Sequence, residues 1–81
     1  MNFYATIEFL GRTRCVVETA APGGPFSIER IDLHPMSFES SAEARLRLYE
    51  LGYQAALRSA AAKGGRLENF RYLIDHQNPN F

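Results

Sequence analysis

Asp32 and His34 stand two residues apart in a stretch that alternates like a strand, so both fall on one face, and Ser37, Ser40 and Ser41 follow closely. These are the side chains whose types and spacing come nearest to chemistry. A carboxylate, an imidazole and a hydroxyl could bind a metal ion or activate a nucleophile. The pattern goes no further. A structural metal site calls for about four ligands at paired Cys or His spacings, and a serine nucleophile calls for a Gly-x-Ser-x-Gly elbow with an oxyanion hole. Neither is present, and Ser40 reads as a helix cap. Cys15, the single cysteine, sits in an apolar strand where a thiol serves packing. Gly23-Gly24 and Gly64-Gly65 are the glycine pairs; neither opens a helix with Lys-Ser or Lys-Thr behind it, as a phosphate-cradling loop would. The expectation is a protein that is not an enzyme, with no catalytic residue, metal or cofactor.

Two surfaces remain that could bind a macromolecule. Arg12 and Arg14 flank a turn near Tyr4, and Arg66 and Arg71 lie beside Phe70 and Tyr72. Arginine beside aromatics on a sheet can hold single-stranded nucleic acid by stacking and phosphate contact. The net charge is zero, whereas phosphate binding draws on a basic excess, so Glu8, Glu18, Glu68 and Asp75 are the preferred partners for these arginines. The other surface is a helix face carrying Leu46, Tyr49, Tyr53 and Leu57, with Arg45 at its margin. Tyrosine offers apolar area and a polar tip, which is why it is enriched at protein interfaces. This face is the first candidate for partner binding. Burial under the rest of the chain and self-association into a homo-oligomer are the competing uses of it.

The elements that position these residues are legible in outline. Residues 2–19 form a β-hairpin: Phe3, Ala5, Ile7 and Phe9 alternate with Tyr4, Thr6 and Glu8, Gly11-Arg12 turns the chain, and the β-branched return runs through Glu18. Ala20 to Pro25 is a loop, since prolines and glycines break any regular element there. A strand follows over 26–33, with Ile31 and Leu33 out of phase with Phe26 and Ile28. A bulge near Glu29-Arg30 would bring the two pairs onto one face. A long helix covers 41–63, opened by the Ser40/Glu43 capping box, supported by Glu43 four residues ahead of Arg47, and closed by Gly64-Gly65. On it Ala44, Leu48, Leu51, Ala55 and Ala62 share one face, and Leu46, Tyr49, Tyr53, Leu57 and Ala60 a second, roughly opposite. Residues 67–75 alternate as a strand through Phe70, Tyr72 and Ile74, while Leu67, Phe70 and Ile74 also fit a helical stripe; strand is the preferred reading. Asn78-Pro79-Asn80 has turn chemistry.

The expected fold is therefore one α+β domain over 1–81, an antiparallel sheet of three to four strands packed against one helix. Its 81 residues leave a thin stability margin, and one cysteine cannot supply an internal disulfide. No apolar run approaches the roughly 20 residues that span a bilayer, and the first residues lack a basic, then apolar, leader pattern. Cytoplasmic location without membrane contact is the expectation. Eight of the nine cations are arginine and alanine is the commonest residue, a bias of GC-rich bacterial or phage genes.

Residues Arg45 to Ala56, with Ile31-Asp32 upstream, resemble the final helix of patatin-like lipid hydrolases over about a third of the chain. The nucleophile motif and catalytic Asp of that family have no counterpart here, so the resemblance implies no site. In size, class and lack of a catalytic set the chain resembles small phage-encoded inhibitors of bacterial defence, anti-CRISPR proteins among them. That resemblance implies docking on a large protein or nucleoprotein effector. The leading functional expectation is a non-enzymatic inhibitor or regulator of such a complex. A nucleic-acid-binding accessory domain and a non-catalytic enzyme subunit are the alternatives.

Overall fold

In a computed structural model that describes residues 1–73, the chain forms β1 (Asn2–Phe9), β2 (Arg14–Ala20), β3 (Ser27–Asp32), a single 3-10 turn (Pro35–Ser37), α1 (Ser41–Ala62) and β4 (Arg66–Leu73). The strands make one four-stranded sheet in the order β3-β2-β1-β4, with α1 across one face. Residues 74–81, which include the end of the expected strand and the Asn78-Pro79-Asn80 turn, lie outside the described residues.

The hairpin forms as the alternation dictates. Phe3, Ala5, Ile7 and Phe9 of β1 and Cys15, Val17 and Thr19 of β2 are buried on the helix side. The β2–β3 pairing runs without interruption from Arg14 opposite Asp32 to Thr19 opposite Ser27, so the bulge expected at Glu29-Arg30 is absent. The phase conflict is resolved by leaving Ile28 on the open face, 53% exposed, while Ile31 packs against the core. Phe26, just before the strand, is 68% exposed. An edge strand with one inward apolar residue needs no bulge, because little of it has to reach the core.

The sheet is mixed, which corrects the all-antiparallel expectation. β1 pairs antiparallel with β2 and parallel with β4. Geometry requires this. In a three-stranded meander both outer strands run the same way, and a 22-residue helix of about 33 Å carries the chain back to their starting end. A strand entered from there is parallel to whichever edge it joins. It joins β1, whose inward residues are all apolar, rather than β3, whose inward positions include Ser27 and Glu29.

The β1–β4 register shifts once, with Phe3 opposite Leu67 and Tyr4 opposite Asn69, leaving Glu68 as the extra residue. This bulge puts both Leu67 and Phe70 on the core side, three residues apart in a strand. It explains why the segment reads as helix and strand at once.

Both ends of α1 are capped. The Glu43 N–H donates to Ser40 Oγ at 3.1 Å, while the Glu43 carboxylate accepts from the Glu39 N–H at 3.0 Å. Glu43 is thus drawn back to the cap, and Arg47 pairs with Glu50 at 3.4 Å rather than with Glu43. At the other end Gly64 takes φ +75°, the Gly65 N–H donates to the Ala60 carbonyl and the Gly64 N–H to the Ala61 carbonyl. These are the two bonds of a Schellman cap. The sheet-facing side of α1 consists of Ala44, Leu48, Gly52, Ala55, Ala56 and Ala60. It is rotated from the expected face: Ala60 and Ala56 are buried and Ala62 is exposed.

Candidate functional site

The side of α1 that carries the expected binding face stands beside β4. Tyr49 and Tyr53 both meet the Phe70 ring edge-on, with centroids 5.4 and 5.0 Å apart and interplanar angles of 82° and 75°. Such T-shaped contacts match the positive ring edge to the negative face and contribute about 0.5–1.5 kcal/mol each beyond burial. They hold the two tyrosines in fixed rotamers. Tyr49 and Leu57 are half-buried, whereas Leu46 is 60% and Tyr53 39% exposed. The second face is therefore a flank, half committed to β4 and half open, rather than the side opposite the sheet.

Next to it lies a shallow groove of about 440 Å³ between Phe9, Ala42, Arg45, Leu46 and Tyr49. The Arg45 guanidinium sits over the Phe9 ring, 4.4 Å from its centroid, a cation–π contact that closes the end of β1. Sequence reasoning placed Leu46, Tyr49, Tyr53, Leu57 and Arg45 on this surface and missed Phe70 and Phe9. Their inward alternation was visible, but Phe70 reaches α1 only because β4 joins the β1 edge, and Phe9 meets Arg45 only through the way α1 crosses the sheet.

The four arginines of the nucleic-acid reading are not gathered. Arg12 lies in the β1–β2 turn and donates from Nη1 to Ser41 Oγ at 3.2 Å. Arg14 begins β2 opposite Asp32, and Arg71 stands beside Thr6 on the edge strand β4. Arg66 begins β4 at the far end, its N–H donating to the Met1 carbonyl at 2.9 Å. The open sheet face mixes Arg14, Arg30 and Arg71 with Glu8, Glu18 and Asp32, all exposed. Alternating signs on a solvated face give no net field toward a polyanion.

The residues nearest to chemistry have structural partners. His34 caps the 3-10 turn, its Nδ1 accepting from the Met36 N–H at 3.3 Å. Ser40 caps α1 and Ser41 accepts from Arg12. Among the described residues no three of His, Cys, Asp and Glu come together as a metal site would require, and no helix is long and apolar enough to cross a membrane.

Cys15 is 1% exposed, with its thiol 4.0 Å from the Leu48 carbonyl. Burial, seconded by the charges of Asp32 and Glu29, pushes the thiol up to about 11. The neutral thiol is thus favoured in the folded state. Because the folded value lies above that of the unfolded chain, this contribution to stability is full below pH 9 and is lost as pH rises toward 11. Urea midpoints should fall across that window in the wild type more than in Cys15→Ala. Equal slopes would count against the buried neutral thiol.

Comparison with protein families, curated proteins and solved structures finds no match to this chain.

Proposed function

We propose that this protein is a non-catalytic binding module, an inhibitor or regulator that docks on a larger protein or nucleoprotein assembly through the Leu46–Tyr49–Tyr53–Leu57 side of α1. The observation that carries this reading is Leu46, 60% exposed, continuous with a Tyr53 that Phe70 already holds in place. An apolar stripe with its aromatics fixed loses little side-chain entropy on docking, and fixed aromatic anchors supply most of the energy of many interfaces. The matching partner surface is apolar at its centre and offers acceptors for the tyrosine hydroxyls at its rim. The likeness in kind to phage-encoded inhibitors, anti-CRISPR proteins included, makes bacterial defence effectors in the cytoplasm the first assemblies to test.

Tagged protein should recover one stoichiometric large complex from a lysate expressing such effectors. Leu46→Ala with Tyr53→Ala should weaken that capture at least about tenfold at unchanged helicity. Undiminished capture by the double variant would move the interface elsewhere on the molecule.

The open sheet face supports a second reading. Tyr4, 43% exposed, lies in a cleft with Thr6, Asn69 and Arg71, where a base could stack beside a cation. Retention on single-stranded DNA that is lost on raising salt would favour this accessory nucleic-acid role.

A further inference from the structure

Among the described strands β3 has β2 on one side and none on the other. The Leu33 N–H donates to the Thr13 carbonyl at 2.7 Å, so in this antiparallel register the backbone groups of Ser27, Glu29 and Ile31 turn to β2. Those of Ile28, Arg30 and Asp32 turn away from it. The β1–β2 ladder gives the same phase. There Leu10 donates to Arg14, which leaves Cys15, Val17 and Thr19 as the β2 residues that bond toward β3. An edge with such a row of outward groups is a template for one more strand.

The devices that usually protect an edge are missing here or already spent. The β2–β3 pairing carries no bulge that would twist the edge away. Glu29 points inward, where a bare charge would repel an incoming strand, but Arg58 holds it at 3.4 Å. Arg30 and Asp32 are exposed on the open face with opposite signs, and neither belongs to an ion pair among the described residues. Ile28 continues the series on that face, 53% exposed, and Phe26, two residues earlier, is 68% exposed. Side chains directly opposite each other on paired strands interact, so this edge specifies its complement. An antiparallel strand would carry a base opposite Asp32, an acid two residues later opposite Arg30, and an apolar residue two further on opposite Ile28. On the helix side a hollow of about 100 Å³ lies between Ser27, Val17, Thr19, Ala55 and Ser59, so small residues between these positions fit.

A second copy of the chain is a poorer match. With Arg30 set opposite the second copy's Asp32, Ile28 meets His34 and Ser27 meets Pro35, where proline stops the ladder. We infer that the β3 edge takes up an extended segment of another protein, basic–x–acidic–x–apolar in order, by strand addition. The α1 flank of the proposed function stands beside β4, at the opposite edge of the sheet, so this contact goes beyond that reading and does not compete with it.

The probe is the end-blocked peptide Lys-Thr-Glu-Thr-Val-Thr-Phe, added at about millimolar concentration to the full, isotope-labelled chain. Amide exchange at Ile28, Arg30 and Asp32 should slow at least about tenfold, while the β4 edge keeps its rates. Exchanging Lys and Glu in the peptide should weaken binding at least about fivefold, and Arg30→Asp with Asp32→Arg in the protein should reverse that preference. N-methylation of the peptide's Glu, whose N–H enters the ladder, should abolish binding; N-methylation of the preceding Thr, whose N–H faces away, should not. Leu46→Ala with Tyr53→Ala should leave peptide binding unchanged.

Unchanged exchange at the three amides would overturn the inference, and the capture assay for the α1 flank, which does not use β3, would still decide the proposed function. Equal affinity for the two peptides would overturn the stated complement. Protection of Arg30 that grows with protein concentration in the absence of peptide would make a second copy the occupant and overturn it as well. Loss of peptide binding in the Leu46 and Tyr53 double variant would move the site to α1.

Discussion

Gly65→Ala is expected to remove about 3 kcal/mol of stability, lowering the melting temperature by roughly 15 °C in a domain of this size. A Cβ at Gly65 would overlap Phe3 Cε2 and Cδ2 and stand 2.5 Å from the Met1 carbonyl oxygen. Phe3 is a buried ring, 3% exposed, so displacing it disturbs the packing at this end of the core. The Met1 carbonyl also accepts the Arg66 N–H, the bond at the head of the β1–β4 pairing, so backing it away from Gly65 strains that pairing. Gly64→Ala should be milder, since it meets no atom within 4 Å and carries only the cost of a left-handed backbone, about 1–2 kcal/mol. Urea denaturation of the two variants separates these causes. A Gly65→Ala midpoint at or above that of Gly64→Ala would mean that the chain does not approach Met1 this closely.

Gly52→Ala should destabilise by about 2 kcal/mol, against what helix propensity alone predicts. In an exposed helix the change would stabilise by about 1 kcal/mol. Here the added methyl would overlap Ile7 Cδ1 and lie 3.0 Å from Ile7 Cγ1 and 3.3 Å from Val17 Cγ2. Ile7 is fully buried, so its terminal methyl cannot swing into open space. Ile7→Val deletes that methyl and alone should cost about 1 kcal/mol. Combined, the two changes should recover most of the loss, with a coupling of about 1–3 kcal/mol in a double-mutant cycle. Additive losses would show that Gly52 serves something other than the close approach of α1 to β1.

How far the sequence carried the fold can be read from such positions. Gly52 is a poor helix former in an otherwise good helix, and its reason lies on another strand, where local pattern does not reach. The hairpin and both helix ends were legible, because alternation, the Ser40/Glu43 box and Gly64-Gly65 are decided by neighbours in the chain. The phase shift in 26–33 is visible in the sequence, but a bulge follows from it only if both apolar pairs are buried; an edge strand leaves Ile28 outside. The true bulge, at Glu68, was hidden in the spacing of Leu67 and Phe70. The parallel β4 followed from the helix length and the meander, an argument about direction that periodicity does not contain. At the candidate site, the Leu46–Leu57 stripe was legible from spacing. Its tilt toward Phe70 was not, since that depends on which sheet edge β4 takes.

The parallel pairing of β1 with β4 also orders events in time. β1 finds β2 across a four-residue turn, a closure that takes microseconds in isolated hairpins. Its other neighbour begins at Arg66, opposite Asn2, so that contact must close a loop holding nearly everything between them. Contacts so distant in sequence slow folding. Until they form, the free edge of β1 and the inward side of Phe3 stay open to water and to other chains. On a ribosome, where β1 is made long before β4, the same exposure lasts for most of synthesis, and substitutions at Gly65 should therefore reduce soluble yield more than their equilibrium cost suggests.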